Sequence, residues 1–255
     1  DPTDGWDNVN YIDKVFGTGL TQKHNVTVQG GSENVRYFAS FGYLGQQGNI
    51  DNYNYDRYNI RANIESQLAE NFKFTMGLSG VLSNRHTPGF GTGGSDTGSE
   101  TGWLTIANQT IQMHPYLPET YNGLYTASIK ANTSLPQSPL AAIYESGYKK
   151  TRGLDVSANM SLSYDFPWLK GLQFKVSGAF DYGASMNKNL DTPYDIMGYA
   201  DGVWKEYADP RGKGSGVKVG EGTSYYQRLT GQASVSYANS FGLHNLELLA
   251  LGEMI

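Results

Sequence analysis

One glycine motif and a few kinds of polar side chain could do chemistry in this sequence. Gly89, Gly91 and Gly94 match the spacing G-x-G-x-x-G, in which small residues let the backbone approach a phosphate. That use needs a strand before the motif and a helix directly after it. Here the glycines lie in a Gly-rich stretch with no helical pattern opening beyond them, so we interpret them as a flexible loop rather than a dinucleotide site.

No set of residues predicts metal or acid–base chemistry. The segment 51–56 is rich in oxygen ligands, but it lacks the central Gly and the terminal Glu of an EF-hand loop. Turn formation is therefore the main interpretation, and a calcium ion in a surface loop is the alternative. No G-x-S-x-G elbow is present, and the histidines show no metal-ligand spacing: His24, His86, His114 and His244. We predict no catalytic residue, no cofactor and no enzyme activity.

Aromatic side chains are the remaining candidates, because their flat faces stack on sugar rings or pack against peptides. Many of them fall in two long segments between predicted strands. The residues predicted to contact a substrate or partner are Trp103, Tyr116, Tyr121, Tyr125, Tyr194, Tyr199 and Trp204. The alternative is that these rings pack the loops together or lie at a membrane interface.

The composition favours a β protein with one polar and one apolar face. The chain has 32 glycines and 19 tyrosines, only 17% charged residues, and a mean hydropathy of −0.48. The net charge of −5 and the lack of a basic run argue against a nucleic-acid partner. No cysteine is present, which excludes disulfides and thiolate metal sites. No apolar run approaches the ~20 residues of a membrane-spanning helix.

Alternation with a period of two recurs along the chain. In 57–68, for example, Tyr58, Ile60 and Ile64 fall on one face and charged or amide side chains on the other. The same pattern predicts strands in 72–82, 154–164, 172–182 and 227–237, with weaker candidates in 21–29, 35–45 and 244–254. These make about eight strands of about ten residues, the length that a tilted strand needs to cross a bilayer.

The links between these strands alternate between short and long. Short links fall at 30–33, 70–71, 165–171 and 239–243, and long ones at 46–56, 85–150 and 187–224. An outer-membrane barrel has this arrangement, with short periplasmic turns and long extracellular loops. Within 85–150 a helix is predicted over 101–113, with Trp103, Leu104, Ala107 and Ile111 on one face and Ser99 or Thr101 as cap. Trp6–Phe16 forms a separate helix-like segment.

Several of these segments resemble SusC/RagA-type TonB-dependent outer-membrane transporters. Residues 25–38 are similar to the family's first hairpin, N-x-S/T-V-x-G-G-S/T followed by a Tyr-rich strand. Residues 42–48 resemble its G-Y-x-x-Q-x-G, and 55–63 its Y-x-R-Y-N-x-R-x-N. Ser138–Ala141 resembles N-P-L-A with Ser in place of Asn, and 168–175 resembles a periplasmic turn. Trp6 and its segment resemble the link from plug to barrel, so the resemblance covers nearly the whole chain in order.

The resemblance implies an antiparallel transmembrane β-barrel segment from the N-terminal part of a barrel of about 22 strands around a plugged lumen. Residues 1–20 are then the plug-to-barrel link and 21–255 a partial barrel. It implies energy-driven import of glycans or peptides across the outer membrane of a Gram-negative bacterium of the Bacteroidetes type. The implied partners are a SusD-like surface lipoprotein, outer-membrane lipid, and TonB through a plug region absent from this chain.

We expect the chain to be an internal piece of a longer protein, because it shows no signal peptide and no aromatic residue at its last position. Two alternatives stay open. The first is a complete eight-stranded barrel acting as an adhesin or structural protein, which requires strand 21–29 to pair with strand 244–254. The second is a soluble β-sandwich carbohydrate-binding module, in which the apolar strand faces meet in a core.

Overall fold

The computed structural model describes residues 7–89, 100–129, 136–208 and 216–255. Over these ranges the chain forms one long antiparallel sheet and a smaller layer of helices and short strands. In chain order the elements are α1 (Tyr11–Val15), β1 (Thr21–Gly31), β2 (Val35–Gln47), β3 (Asn54–Ala69), β4 (Phe72–Pro88), α2 (Glu100–Ile111), β5 (Thr120–Tyr121), β6 (Leu124–Ile129), β7 (Pro136–Gln137), α3 (Pro139–Tyr144), β8 (Gly147–Asp165), β9 (Leu172–Asp191), β10 (Ile196–Ala200), β11 (Val203–Tyr207), β12 (Lys218–Phe241) and β13 (His244–Met254). No helix in the described ranges is long and apolar enough to span a membrane.

The long sheet has eight strands in the order β1-β2-β3-β4-β8-β9-β12-β13, and every neighbouring pair is antiparallel. The eight predicted strands are all confirmed, and most of them are longer than the sequence pattern indicated. The extra length lies mainly at the strand ends that adjoin the long links. Strand β12, for instance, begins at Lys218 rather than near 227. Glycine and polar residues dominate these extensions, which is why hydrophobic alternation did not detect them.

The strand register keeps apolar residues opposite one another across the whole sheet. Phe41 pairs with Ile60, and Met76 pairs with both Ile64 and Met160. On the far strands Phe180 pairs with Leu229. Because side chains alternate between the two faces of a strand, this register produces one continuous apolar face and one continuous polar face.

No second sheet packs on the apolar face in the part of the chain that the structure describes. Large apolar side chains on this face stay open to the surroundings: Ile60 is 50% exposed, Met160 59% and Leu229 65%. A β-sandwich would bury these residues between two sheets. The soluble β-sandwich alternative is therefore wrong.

The sheet also does not close on itself. Its two outer strands are β1 and β13, and in the described residues β1 pairs only with β2 and β13 only with β12. A complete eight-stranded barrel requires these edges to be hydrogen-bonded to each other. The alternative of a small closed barrel is therefore also wrong for this structure.

Short turns join the strands at one end of the sheet. The links are 32–34, 70–71, 166–171 and 242–243. Gly171 has a φ of 93° and lies close to Ala238. A Cβ at position 171 would collide with the carbonyl oxygen of Ala238. Gly242 occupies the two-residue turn between β12 and β13 with a φ of 64°. Glycine is required where the chain reverses so tightly.

The remaining elements lie at the opposite end, where β1 begins. We call this layer the cap: residues 7–20, the β2–β3 link 48–53, and the elements α2, β5, β6, β7, α3, β10 and β11. Its buried residues form the molecule's hydrophobic core, divided between two neighbouring clusters: Val9, Tyr11, Val15, Ile50, Ile106, Met113, Leu117, Leu140, Ala142 and Ile143 in the larger, and Ala127, Ala141, Tyr194 and Ile196 in the smaller. The cap is therefore a packed unit, whereas the long sheet has few buried residues.

The two helices predicted from sequence are present, but the first is shorter than the predicted Trp6–Phe16 and the second differs in orientation. Residues 11–15 form α1, capped by the side chain of Asn10; Trp6 lies outside the described residues. Helix α2 matches the predicted 101–113, but its predicted apolar face is exposed: Trp103 is 46% exposed and Ile111 72%. Ile106 faces the core instead. Thr101 lies within the helix and is not its cap, and Ser99 falls outside the described residues.

Candidate functional site

The cap is anchored by residues that are far apart in sequence. The Tyr11 hydroxyl donates to the carbonyl oxygen of Pro118 at 2.9 Å and lies 2.8 Å from the hydroxyl of Thr126. Burial raises the pKa of Tyr11 to about 12, and the hydrogen bond to Thr126 opposes this rise. At the surface, Lys14 forms an ion pair with Glu119 at 2.8 Å. These contacts hold residues 7–20 against the cap.

The β2–β3 link is tied to helix α3. The Tyr144 hydroxyl donates to the carboxylate of Asp51 at 2.6 Å, and the side-chain amide of Asn52 donates to the carbonyl oxygen of Ile143 at 3.1 Å. Asp56, the other acidic residue of the oxygen-rich segment, accepts a hydrogen bond from Tyr43 on the long sheet. Within the described ranges no three His, Asp or Glu side chains are gathered as a metal site.

Burial raises the pKa of the Glu145 carboxyl at the end of α3, and the nearby charge of Asp195 adds to the effect. Glu145 therefore retains its proton to higher pH than an ordinary glutamate.

The seven predicted aromatic residues divide into packing residues and exposed residues. Trp204 stacks on Tyr121 with 4.1 Å between ring centroids and meets Tyr199 edge-on at 5.2 Å. Tyr125, Tyr199 and Trp204 pack against the larger core cluster, and Tyr194 is buried. These contacts help to hold the cap together. Trp103 and Tyr116 are the two that present large exposed surfaces, at 46% and 41%.

Trp103 borders a cleft between the cap and the long sheet. The cleft has a volume of about 390 Å³, and its other lining residues are Thr21, Gln46, Gln47, Gly48, Tyr53, Asn54, Tyr55, Arg85, His86 and Thr87. Thr21 pairs with Gln46, Gln46 with Tyr55, and Tyr55 with Arg85, so these four form a row across β1–β4 on the polar face. The cleft therefore opens onto the polar face of the sheet.

Aromatic rings lie in two rows on the apolar face, one near each end of the strands. At the cap end, Tyr43 lies 5.0 Å from Tyr58 between ring centroids. At the short-turn end a ladder of rings runs from Phe72 through Tyr164 to Phe166 and Trp168, with spacings of 4.6, 4.9 and 5.3 Å. Trp168 is 74% exposed. Rings in this position mark both edges of the apolar face.

Sequence reasoning missed Tyr11 and Thr126, which anchor the cap. They are separated by 115 positions, and no local pattern connects them. It also missed the paired strands β10 and β11, which present Tyr199 and Trp204 to each other across a hairpin. The Asp201-Gly202 turn of this hairpin was the available signal, because both residues adopt positive φ.

The chain is similar to known proteins over nearly its whole length. It is 27% identical over 247 residues to TonB-dependent receptor P3 of Formosa agariphila, and 24% identical over 265 residues to TonB-dependent receptor SusC of Bacteroides thetaiotaomicron. These matches cover 95% and 98% of the chain, but only 22% and 24% of the relatives. No protein-family model matches.

Two solved structures of RagAB have the same fold. The chain matches the RagAB peptide importer in its closed-closed state with a TM-score of 0.69 at 19% identity, covering 97% of this chain and 25% of that one. A second structure of the RagAB peptide transporter gives a TM-score of 0.62 at 21% identity, with coverage of 96% and 25%. The chain spans about a quarter of the length of these proteins. The resemblance predicted from the sequence motifs is confirmed: from end to end, the chain matches a barrel segment of SusC/RagA-type TonB-dependent receptors.

Proposed function

We propose that this chain supplies barrel wall and surface cap to a TonB-dependent importer in the outer membrane of a Gram-negative bacterium of the Bacteroidetes type. The observation that carries the proposal is the open eight-stranded sheet with one apolar and one polar face. Such a sheet needs lipid on one side and further strands at both edges, because unpaired backbone groups in hydrocarbon each cost several kcal/mol. The relatives are receptors and importers, which supports transport rather than enzyme activity.

The apolar face is proposed to contact lipid. Tyr58 of the upper aromatic row pairs with Leu82, and Phe72 of the lower row begins the same strand β4. At about 3.3 Å per residue and a tilt of about 40°, the two rows are about 25 Å apart, the height of the apolar band in outer-membrane barrels. The polar face then lines the lumen, and residues 1–20 are proposed to link a plug to this wall.

The cap is proposed to lie on the cell surface, where it contacts a SusD-like lipoprotein and the incoming glycan or peptide. Trp103 and Tyr116 are the proposed contact residues, because they are the exposed members of the aromatic set. Energy is proposed to come from TonB through a plug region outside residues 1–255. An ordered cap suits a docking surface, because its packed core fixes the exposed rings in place.

Import is tested by deleting the gene and measuring growth on single glycans and on peptide mixtures. The proposal predicts loss of growth on one substrate class, rescue by the wild-type gene, and the same loss when TonB is inactivated. A surface lipoprotein should copurify with the protein in mild detergent. Unchanged growth on all substrates in both strains, with no copurifying lipoprotein, contradicts the proposal.

A further inference from the structure

Charge is segregated on the first four strands of the sheet. Strands β1–β4 carry six basic side chains, all at polar-face positions: Lys23, Arg36, Arg57, Arg61, Lys73 and Arg85. The same strands hold only two acidic residues, Asp56 and Glu65. Asp56 lies at an apolar-face position and accepts a hydrogen bond from Tyr43. The polar face of this wall is therefore strongly basic, although the whole chain carries a net charge of −5.

Glu65, the one acidic residue that β1–β4 place on this face, is shared by the two basic residues nearest the short turns. Glu65 lies 2.9 Å from the ammonium of Lys73 and 3.9 Å from the guanidinium of Arg36. Nearer the cap, Lys23, Arg57 and Arg61 are exposed, and none of the three has an ion-pair partner among the described residues. Like charges that share a surface without counter-ions repel one another and attract anions.

These three residues form a track that leads to the Trp103 cleft. Lys23 on β1 and Arg57 on β3 both pair with Leu44 on the strand between them, β2. The two residues therefore lie about 10 Å apart across the sheet. Arg61 is four residues further along the same strand, about 13 Å away. Toward the cap, the next polar-face residue of β3 after Arg57 is Tyr55, which pairs with Arg85. Both residues line the cleft. The track and the cleft are therefore one continuous surface.

The lining of the cleft indicates which anion fits. It consists of amide, hydroxyl and aromatic side chains together with Arg85 and His86, and Trp103 exposes its indole at the edge. Amides and hydroxyls exchange hydrogen bonds with the hydroxyls of a sugar, and an indole face stacks on a sugar ring. The combination favours a polyhydroxylated, negatively charged ligand.

We propose that this surface selects acidic glycans, that is, chains bearing carboxylate or sulfate groups, as the substrate that the importer carries. This rests on the proposed import function and specifies its substrate class. Lys23, Arg57 and Arg61, which lie in the half of the strands nearer the cap, bind the anionic groups in the part of the lumen beyond the plug, and Trp103 stacks on a sugar ring at the entrance. Because exposed charge pairs are screened by salt, binding should weaken as ionic strength rises.

The test uses the intact protein extracted in detergent and four probes: polygalacturonate, dextran sulfate, neutral dextran and polyglutamate. The triple variant Lys23→Gln, Arg57→Gln, Arg61→Gln should bind the acidic glycans about tenfold more weakly and show a smaller salt dependence. The control Lys175→Gln lies on the same face, toward the short turns and about 20 Å from Arg61 along the strands. It should change affinity by less than about twofold, since that distance exceeds the screening length of about 8 Å at physiological salt.

Preference for polygalacturonate over dextran sulfate identifies carboxylate as the recognised group, and the reverse preference identifies sulfate; both support the proposal. Neutral dextran bound as tightly as the acidic glycans overturns it, as does polyglutamate bound more tightly than either glycan. Equal losses in the triple variant and in Lys175→Gln also overturn it. Cells that still import a neutral glycan or a peptide through this protein would refute the acidic preference alone and leave the import function standing.

Discussion

The carboxylate of Glu65 on β3 lies 2.9 Å from the ammonium of Lys73 on β4, on the face opposite the paired side chains of Ile64 and Met76. One strand pair thus presents an ion pair to one side and an apolar pair to the other. A shift of register by one residue would exchange these faces along the entire strand. The two faces therefore need different surroundings.

A charge placed on the apolar face should destabilise the protein far more than one on the polar face. Ala158→Arg should cost ~2–4 kcal/mol, because position 158 pairs with Leu78 near the middle of the apolar band. Asn159→Arg, on the polar face of the same strand β8, should cost less than about 1 kcal/mol. Urea titration of the heat-modifiable folded form in lipid vesicles measures both. Equal costs would show that the two faces have the same environment.

The cap and the short turns should lie on opposite sides of the membrane. Because the chain has no cysteine, single substitutions give clean labelling sites. Glu206→Cys, on exposed β11, should react with a membrane-impermeant maleimide in intact cells. Leu243→Cys, in the β12–β13 turn and 99% exposed, should react only after the outer membrane is permeabilised. The opposite pattern would invert the proposed topology.

Removing the Tyr11 hydroxyl should loosen the cap. Tyr11→Phe removes the hydroxyl that joins α1 to Pro118 and Thr126, while the Thr126 hydroxyl still donates to the Pro118 carbonyl oxygen. The loss should cost about 1 kcal/mol and raise hydrogen exchange of cap amides about fivefold. The control Tyr225→Phe, where the ring is 73% exposed, should leave exchange unchanged. If both variants exchange like wild type, the hydroxyl does not anchor the cap.

The same hydroxyl predicts a pH dependence. The folded cap raises the pKa of Tyr11 to about 12 from the ordinary value of 10.0, so the folded form holds its proton more tightly than the unfolded form. The stability that this supplies is fully present below pH 10 and is lost as the pH rises toward 12. Cap exchange in wild type should therefore accelerate over this interval, and Tyr11→Phe should lack that component. An equally steep rise in Tyr11→Phe would assign the transition to another group.

Two tryptophans of the cap should differ in their roles. Trp204→Ala removes the ring between Tyr121 and Tyr199 and should destabilise the cap by about 3 kcal/mol, seen as faster proteolysis of the cap. Trp103→Ala should leave protease resistance intact and lower substrate uptake, because its ring borders the open cleft. Rapid proteolysis of both variants would mean that Trp103 is a packing residue too.

The long sheet could be predicted from sequence because its signal is local. In 58–64 of β3 and 154–164 of β8 every second residue is apolar, and that alternation fixes both the strand and its faces. The cap could be predicted only in part. The periodicity of α2 places Trp103 and Ile111 on one face of the helix. Periodicity alone does not determine whether that face packs against protein or borders an open lumen. Contacts such as Tyr11–Thr126 depend on the whole chain being folded and leave no local pattern.

Whether the sheet is a wall between lipid and an aqueous lumen can be measured by a scan of single cysteines from 154 to 162 along β8 in the membrane-embedded protein. A nitroxide label at each position is exposed to oxygen, which concentrates in lipid, and to a water-soluble nickel chelate. We predict strict alternation: oxygen contacts positions 154, 156, 158, 160 and 162, and the chelate contacts 155, 157, 159 and 161. Even-numbered positions protected from both reagents would mean that the apolar face packs against protein, and would contradict the account.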